Sequence, residues 1–556
     1  ICSIYNNVLI TTNNRFQLED INLKKENAVF DRIKRYEINE FGVILRRKLI
    51  EKWNKLGQEN YIQLDVLENK NSNSEKIIDA IIGRNYVPAY PIYLLIILQT
   101  IEIGAQHNLR ESTFGYYYEF LITQSFIKAG IKPEDHDSYI TYLKEFAYFL
   151  FLRNEKEISE SVFIEFHKKH IDVFDIRLDF KETLDNLQMS LIIKRKNGVY
   201  KFKYLYVYYF FVSKYLADSI NSNIEIQKLV SNICEKLYIE ENANIVLFLI
   251  HHSKNEIILE NVRKQANALF NSIKPIYFDK DIKFINSLIE KIPEIFIEDE
   301  KGIKKTREEI QKSKDKEEFL AKETDKNKDI EKELNKEFKE TNFIAKLNLS
   351  MKMLQILGKI LQNYYGSLKG EKKLVLVEEA YCLGLRTLKI VLFAILYLVY
   401  FKNETLLKEK VKTILEKKHG KKQLDNKTIE KVARKLLFYE STIISFIFIK
   451  NTSNFIGSQK LSRTFEKVLE KNKYNSYYLI DMAIKLNFPQ NMPVNEISDL
   501  KSKFKGNILP ELLLKLLVSE HIYMFSTDRG EKQRVCKILN IKMKSEYLIS
   551  SGKKKM

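Results

Sequence analysis

The stretch from Leu191 to Ala217, LIIKRKNGVYKFKYLYVYYFFVSKYLA, constrains the fold more than any other part of the chain. Asn197-Gly198 is the strongest short-range hairpin signal, because a two-residue type I′ turn needs positive φ at both positions. Tyr200, Phe202 and Tyr204 then alternate with Lys201 and Lys203, the period of two that a half-buried strand requires. Val207 to Ala217 follows as an almost wholly apolar helix, which has to be buried on most sides. Just upstream, Asp179 to Met189 has helical spacing at Phe180, Leu184 and Leu187. Helix, hairpin and buried helix in this order form the end of a winged-helix domain. Any α+β module can hold one hairpin, so the local pattern leaves both readings open.

The rest of the chain reads as mainly α. In 556 residues there are only 8 Pro and 17 Gly, which favours long helices and few turns, and 45% hydrophobic content can fill large cores. Cys2, Cys234, Cys382 and Cys536 make neither a metal spacing nor a disulfide framework, as expected of a cytoplasmic protein. The formal charge of +19 favours nucleic acid or another acidic partner, but the lysines are mixed with acids along the chain. The longest apolar run, Ile390 to Phe401, is too short to span a bilayer and predicts a buried core helix, so no membrane partner is expected. There is no signal peptide, and the chain begins at Ile1, abruptly before a strand, so it is expected to be a fragment of a longer protein.

In chain order, Val8 to Thr12 is a short buried-strand pattern ending in Asn13, Asn14 and Arg15; parallel sheets put ligand-contacting residues just past strand ends. Phe30 to Trp53 contains an amphipathic helix, with Arg46, Arg47, Lys48 and Lys52 expected on its wet side. Pro88 and Pro91 precede a buried helix from Tyr93 to Ile103, and Pro91 suits the first helical turn. Thr113 to Ala129 and Ile140 to Leu152 are further buried helices, and Ser159 or Ser161 can cap another that runs to His170. His167 and His170 share one face of it; two histidines without a third ligand predict a solvated face rather than a metal site. Residues 224–297 read as mostly helical. Glu298 to Thr341 is charge-mixed and nearly core-free, a solvated helix or flexible linker that marks a domain boundary. Apolar helical periodicity then resumes from Phe343 and continues to Tyr523, with no fixed repeat.

No GxxxxGK[ST] occurs in the sequence, so the backbone cradle and lysine that hold nucleotide phosphates are not encoded in it. No Ser/His/Asp or Cys/His constellation and no paired-acid magnesium site can be assembled either. No catalytic residue is predicted, and tight ATP binding or hydrolysis is not expected of this chain alone.

The parts in series resemble the C-terminal two-thirds of a bacterial STAND NTPase of the NACHT-like, NLR-related kind. The order is a sheet strand, helices, a proline-bearing turn into a buried helix, a hairpin and helix reading FKYLYVYYFFVSKYL, and then a long helical region. ANIVLFLIHHSKNEIILENV, LQILGKILQNYYGSLKGEKK, EEAYCLGLRTL and LLLKLLVSEHIYMF also resemble the helical sensor part of one bacterial group. The resemblance implies the end of an NTPase core sheet at 1–15, a helical lid at 16–105 and a winged-helix domain at 106–217. It further implies a helical domain at 218–297, a charged linker at 298–342 and a C-terminal α-helical sensor or scaffold at 343–556.

In function, the resemblance implies the regulatory and sensor portion of a signalling NTPase in antiphage defence. Ligand recognition would release an ADP-locked state and drive oligomerisation through the NTPase module, switching on an upstream effector. ATP or ADP with Mg would be the cofactor of the full-length protein, with the P-loop and the effector upstream of Ile1. An unidentified protein, for which a phage protein is a candidate, would be the trigger. Asn13, Asn14 and Arg15 fall at the sensor strand end, Pro91 at the proline against the adenine, and Tyr204 where the family often has a phosphate-contacting histidine in an F-R-H signature. Phe202 and Lys203 match the first two positions of that signature, the second only in charge; Tyr204 departs from the third. Beside this stands a second reading: a winged-helix nucleic-acid binder using Lys194, Arg195, Lys196, Lys201 and Lys203 on phosphates.

Overall fold

The computed structural model describes residues 39–56, 64–82, 87–106, 114–196, 198–325, 343–397, 404–419, 425–488, 492–525 and 528–544. Asn13, Asn14 and Arg15 lie outside the described residues. The chain divides into two compact units, residues 1–40 and residues 41–556, and every described helix and strand belongs to the second.

The described part of this second unit is mainly helical. The first helices are α1 (Val43–Lys55), α2 (Leu64–Ile82), α3 (Pro91–Gln106) and α4 (Phe114–Lys128). The amphipathic helix expected within 30–53 is α1, which begins at Val43 after the extended Gly42. Then come α5 (His136–Leu152), β1 (Glu157–Ser159), α6 (Glu160–Phe174), α7 (Phe180–Met189), β2 (Ile193–Lys196), β3 (Val199–Phe202) and α8 (Leu205–Ser219). The strands form one antiparallel sheet in the order β1-β3-β2.

The hairpin has the predicted register: Lys196 faces Val199 across a two-residue turn, and Gly198 has φ +77°. Tyr200 and Phe202 point inward, as the alternation requires. α7 starts where Asp179 accepts the Glu182 amide at 2.8 Å, an N-cap bond. β1 was not legible in the sequence, because three residues with one buried side chain, Ile158, make no periodicity. Aromatic rings fill the space between sheet and helices. Phe146 stacks on Phe163 at 4.5 Å and lies 5.5 Å from Phe202, so α5, α6 and β3 share one core. α8 lies between α5 and α10 (Glu240–His252) and is buried from Tyr206 through Val212, as its lack of a polar face demands.

The helices continue through α9 (Ile224–Glu235), α10, α11 (Glu256–Ala268) and α12 (Lys283–Ser287) to the short strand β4 (Phe296–Ile297) and α13 (Glu300–Asp325). After the undescribed residues 326–342 come α14 (Phe343–Asn363), α15 (Gly370–Ile395), α16 (Glu404–His419) and α17 (Asn426–Ile456). α18 (Ser462–Lys471), α19 (Asn475–Leu486), α20 (Val494–Lys503), α21 (Ile508–Met524), α22 (Arg529–Leu539) and β5 (Lys542–Met543) complete the described chain. α17 crosses α14 and α15 closely at two glycines. A Cβ on Gly358 would meet the Phe455 carbonyl oxygen at 2.0 Å, and one on Gly384 would meet Thr452 Oγ1 at 2.4 Å. β4 pairs in parallel with β5, residues far apart in sequence.

Two expectations are corrected, and a third is narrowed. Arg46 is not on a wet face: it is 4% exposed and ion-paired. The apolar run from Ile390 buries Leu392 and Leu396 but leaves Phe393 53% and Tyr397 61% exposed, because one side of α15 has no described neighbour there. Of the two readings of the charged stretch from Glu298, its described part is the helix: it forms α13, largely exposed but lying along α1 and the end of α21. No described helix is long and apolar enough to cross a membrane.

Candidate functional site

The two described residues expected at a nucleotide edge, Pro91 and Tyr204, come from helix starts that the tertiary fold brings together. Pro91 opens α3, where its missing N–H costs no helical bond. The turn before it is fixed from α1's side: the Phe41 amide donates to the Ala89 carbonyl at 2.9 Å, and Val87 and Ala89 are fully buried. The Tyr93 and Leu94 amides return to the Tyr90 carbonyl at 3.0 and 3.2 Å.

Tyr204 is the residue before α8, in an extended conformation (φ −125°, ψ 135°), and its side chain makes no cap bond. Its ring instead meets Tyr93 edge-on at 6.0 Å, and the two hydroxyls hydrogen-bond. It also stacks on Tyr206 at 6.0 Å, and Tyr206 in turn lies 5.7 Å from Tyr118. The Tyr118 hydroxyl donates to the Ile81 carbonyl at the end of α2, at 3.2 Å. A chain of tyrosines therefore joins α2, α3, α4 and α8. Burial pushes the Tyr93 and Tyr206 phenols well above their ordinary range, so both stay neutral and act only through hydrogen bonds and ring faces.

Lys203 brings a cation to this cluster of rings. Its ammonium lies 5.1 Å from the centre of the Tyr204 ring, a cation–π distance, and its backbone N–H donates to the Ile192 carbonyl at 2.8 Å. Partial burial, with Lys194 nearby, pulls its pKa below the usual lysine value. Among the described residues this seam holds no backbone cradle for phosphates, so no hydrolytic step is assigned to it.

The cations proposed for nucleic acid are differently engaged. Arg195 pairs with Glu160 at 2.9 Å and Lys201 with Glu157 at 2.8 Å, both across the small sheet. Lys194 and Lys196 remain at the hairpin, beside an α7 that carries Glu182 and Asp185.

His167 and His170 do not face solvent. They are 4% and 3% exposed, inside the aromatic core of α5, α6 and α7. His167 Nε2 donates to the Leu178 carbonyl at 3.1 Å, which leaves Nδ1 to accept from the Tyr142 hydroxyl at 3.1 Å. His170 sits between the rings of Tyr142 and Phe174, and neither of its nitrogens has a hydrogen-bond partner. No group of three potential metal-ligating side chains exists among the described residues. Nothing in the sequence marks Tyr93 as Tyr204's partner, since Tyr93 reads as one more apolar position of a core helix.

Residues 156–212 match a family model described as Novel STAND NTPase 4. Over this span the chain is similar to STAND NTPases. The span runs from Lys156, just before β1, to Val212 in the middle of α8, and so contains the whole sheet, Lys203 and Tyr204. No curated protein and no solved structure matches the chain. Lys156 anchors the start of the matched span to α8 and α10: it donates to the Tyr208 hydroxyl at 3.0 Å and pairs with Glu241.

Proposed function

We propose that this chain is the regulatory and sensor portion of a STAND-type signalling NTPase of the NACHT-like kind. It would couple recognition of a trigger to nucleotide-controlled oligomerisation of an upstream effector, in bacterial antiphage defence. The observation that carries the reading is that the family match falls on one topological unit. The matched residues 156–212 run through strand β1, helices α6 and α7, the β2–β3 hairpin and the first half of α8, which together with helix α5 we read as a winged helix. Within that unit Tyr204, between β3 and α8, meets Tyr93 near the start of α3, which supports a role at the same edge as Pro91.

In this reading, Pro91 and Tyr204 lie along the nucleotide edge, and the ring face of Tyr204 takes the place of a charged contact. Asn13, Asn14 and Arg15 would reach the nucleotide from the core sheet. ATP or ADP with Mg would supply the phosphate and metal charge that the switch reads in the full-length protein. The helices from 343 onwards would form the sensor. The pairing of Arg195 and Lys201 with carboxylates weighs against the nucleic-acid reading.

The test uses the full-length protein. Tyr204→Phe keeps the ring and removes the hydroxyl bond to Tyr93; Tyr204→Ala removes both. Tyr204→Ala is expected to change the amount of nucleotide that co-purifies, or basal activation, with Tyr204→Phe intermediate. Lys194→Glu with Lys196→Glu should change neither. Unchanged nucleotide content and activation in Tyr204→Ala, together with duplex-DNA binding lost in the lysine pair, would refute the reading.

A further inference from the structure

α13 is docked almost entirely by charge. Among its described side chains only Ile303 is a buried hydrophobe, while Arg307 is 9% exposed. The hub is Arg46 of α1. Its guanidinium grips Glu318 of α13 with both terminal nitrogens, at 2.8 and 2.7 Å, and also reaches Asp79 of α2 at 3.2 Å and the Phe41 carbonyl at 3.3 Å.

One turn away, Asp315 occupies the N-terminus of α1. Its carboxylate accepts the Ile44 amide at 3.4 Å, where the helix dipole favours an anion. Gly42 makes this approach possible: a Cβ there would lie 2.3 Å from Asp315 Oδ1. At the other end, Arg307 binds Glu68 of α2 at 2.7 Å and donates through Nε to the Tyr523 carbonyl of α21 at 2.8 Å. Arg47 completes the network, at 3.4 Å from Glu68 and 3.5 Å from Glu75. α13 thus ties α1 and α2 to α21.

Two facts make this junction weak for its size. Partly buried ion pairs give back much of their attraction as desolvation, and here burial is the main influence raising the pKa of Glu75. The acids of the network also keep contact with solvent, Glu318 39% and Asp79 50% exposed, so salt can reach it. Of α13's own described side chains, undocking would uncover one buried hydrophobe, Ile303.

We propose that α13 is a releasable electrostatic strap that holds α1 and α2 to α21, and that competition for its charges frees the two helices while the rest of the fold stays intact. The proposal goes beyond the NTPase reading and stands on the docking geometry alone, so its test needs no nucleotide.

The experiment is hydrogen–deuterium exchange of the whole chain. Raising salt from about 0.1 M to about 1 M shortens the screening length from about 10 Å to about 3 Å. Amides of α13 and of Ile44 to Arg47 should then exchange about tenfold faster, as a local opening does, with α5 to α8 unchanged. Asp315→Lys with Glu318→Lys should do the same at low salt. Glu317→Lys, one such charge reversal at an exposed position on that turn, should leave the wild-type pattern, while Glu318→Lys alone should not. Protection of α13 that ignores both salt and the double variant would overturn the proposal, as would loss of protection spread evenly over the chain at high salt.

Discussion

His170→Phe is expected to stabilise the protein and to remove part of its sensitivity to acid. His170 is 3% exposed, 4.9 Å from the Tyr142 ring and 4.5 Å from the Phe174 ring, with both nitrogens unbonded. Burial first, and neighbouring His167 second, lower its pKa from 6.5 to about 4. The folded state therefore holds the ring neutral while the unfolded chain protonates it. Stability from this residue is complete above the unfolded pKa and is lost as the pH falls through the interval towards the folded one. By pH 5 the loss is roughly 2 kcal/mol.

Phenylalanine has a similar shape, needs no hydrogen bond and does not titrate. At neutral pH its gain is about 1 kcal/mol, from removing an unpartnered buried polar group. Phe174, 40% exposed, can yield to the slightly larger ring. Urea unfolding followed by near-ultraviolet tyrosine ellipticity at neutral pH and near pH 5 reads both effects. The gap between variant and wild type should widen on acidification. A gap of constant size, or a variant less stable at both pH values, would refute the account of a neutral, unsatisfied His170.

Two further predictions concern the helical region after residue 342. Gly358→Ala should cost about 3 kcal/mol or more, because the added Cβ meets a backbone carbonyl of α17 that no rotamer change can move; thermal unfolding measures it. Glu379→Ala should cost about 3–5 kcal/mol, since it leaves Arg386, 7% exposed and bonded to the Ala266 carbonyl, without its 2.7 Å partner. Adding Arg386→Met to that variant should restore part of the loss, and a double-mutant cycle in urea checks the coupling.

The hairpin, its turn and the helices around it were determined locally. Asn197-Gly198, the alternation from Tyr200 and the unbroken apolar α8 each act over a few residues, so the sequence alone specifies them. The same holds for the start of α3 at Pro91 and of α7 at Asp179, where one residue's chemistry decides the backbone. Local pattern failed where a partner lay far along the chain. Arg46 looks solvated until Glu318 closes on it, and Asp315 looks like one charge among many until Gly42 admits it to the end of α1. His167 and His170 share a helix face with nothing in sequence to say that Tyr142, Leu178 and Phe174 would enclose it. Tyr93 and Tyr204 sit on helices whose meeting no spacing encodes. The sequence determines where backbone geometry and one-sided burial are set by neighbours in the chain; which charges are buried and which rings meet depends on long-range packing, and only the tertiary structure decides it.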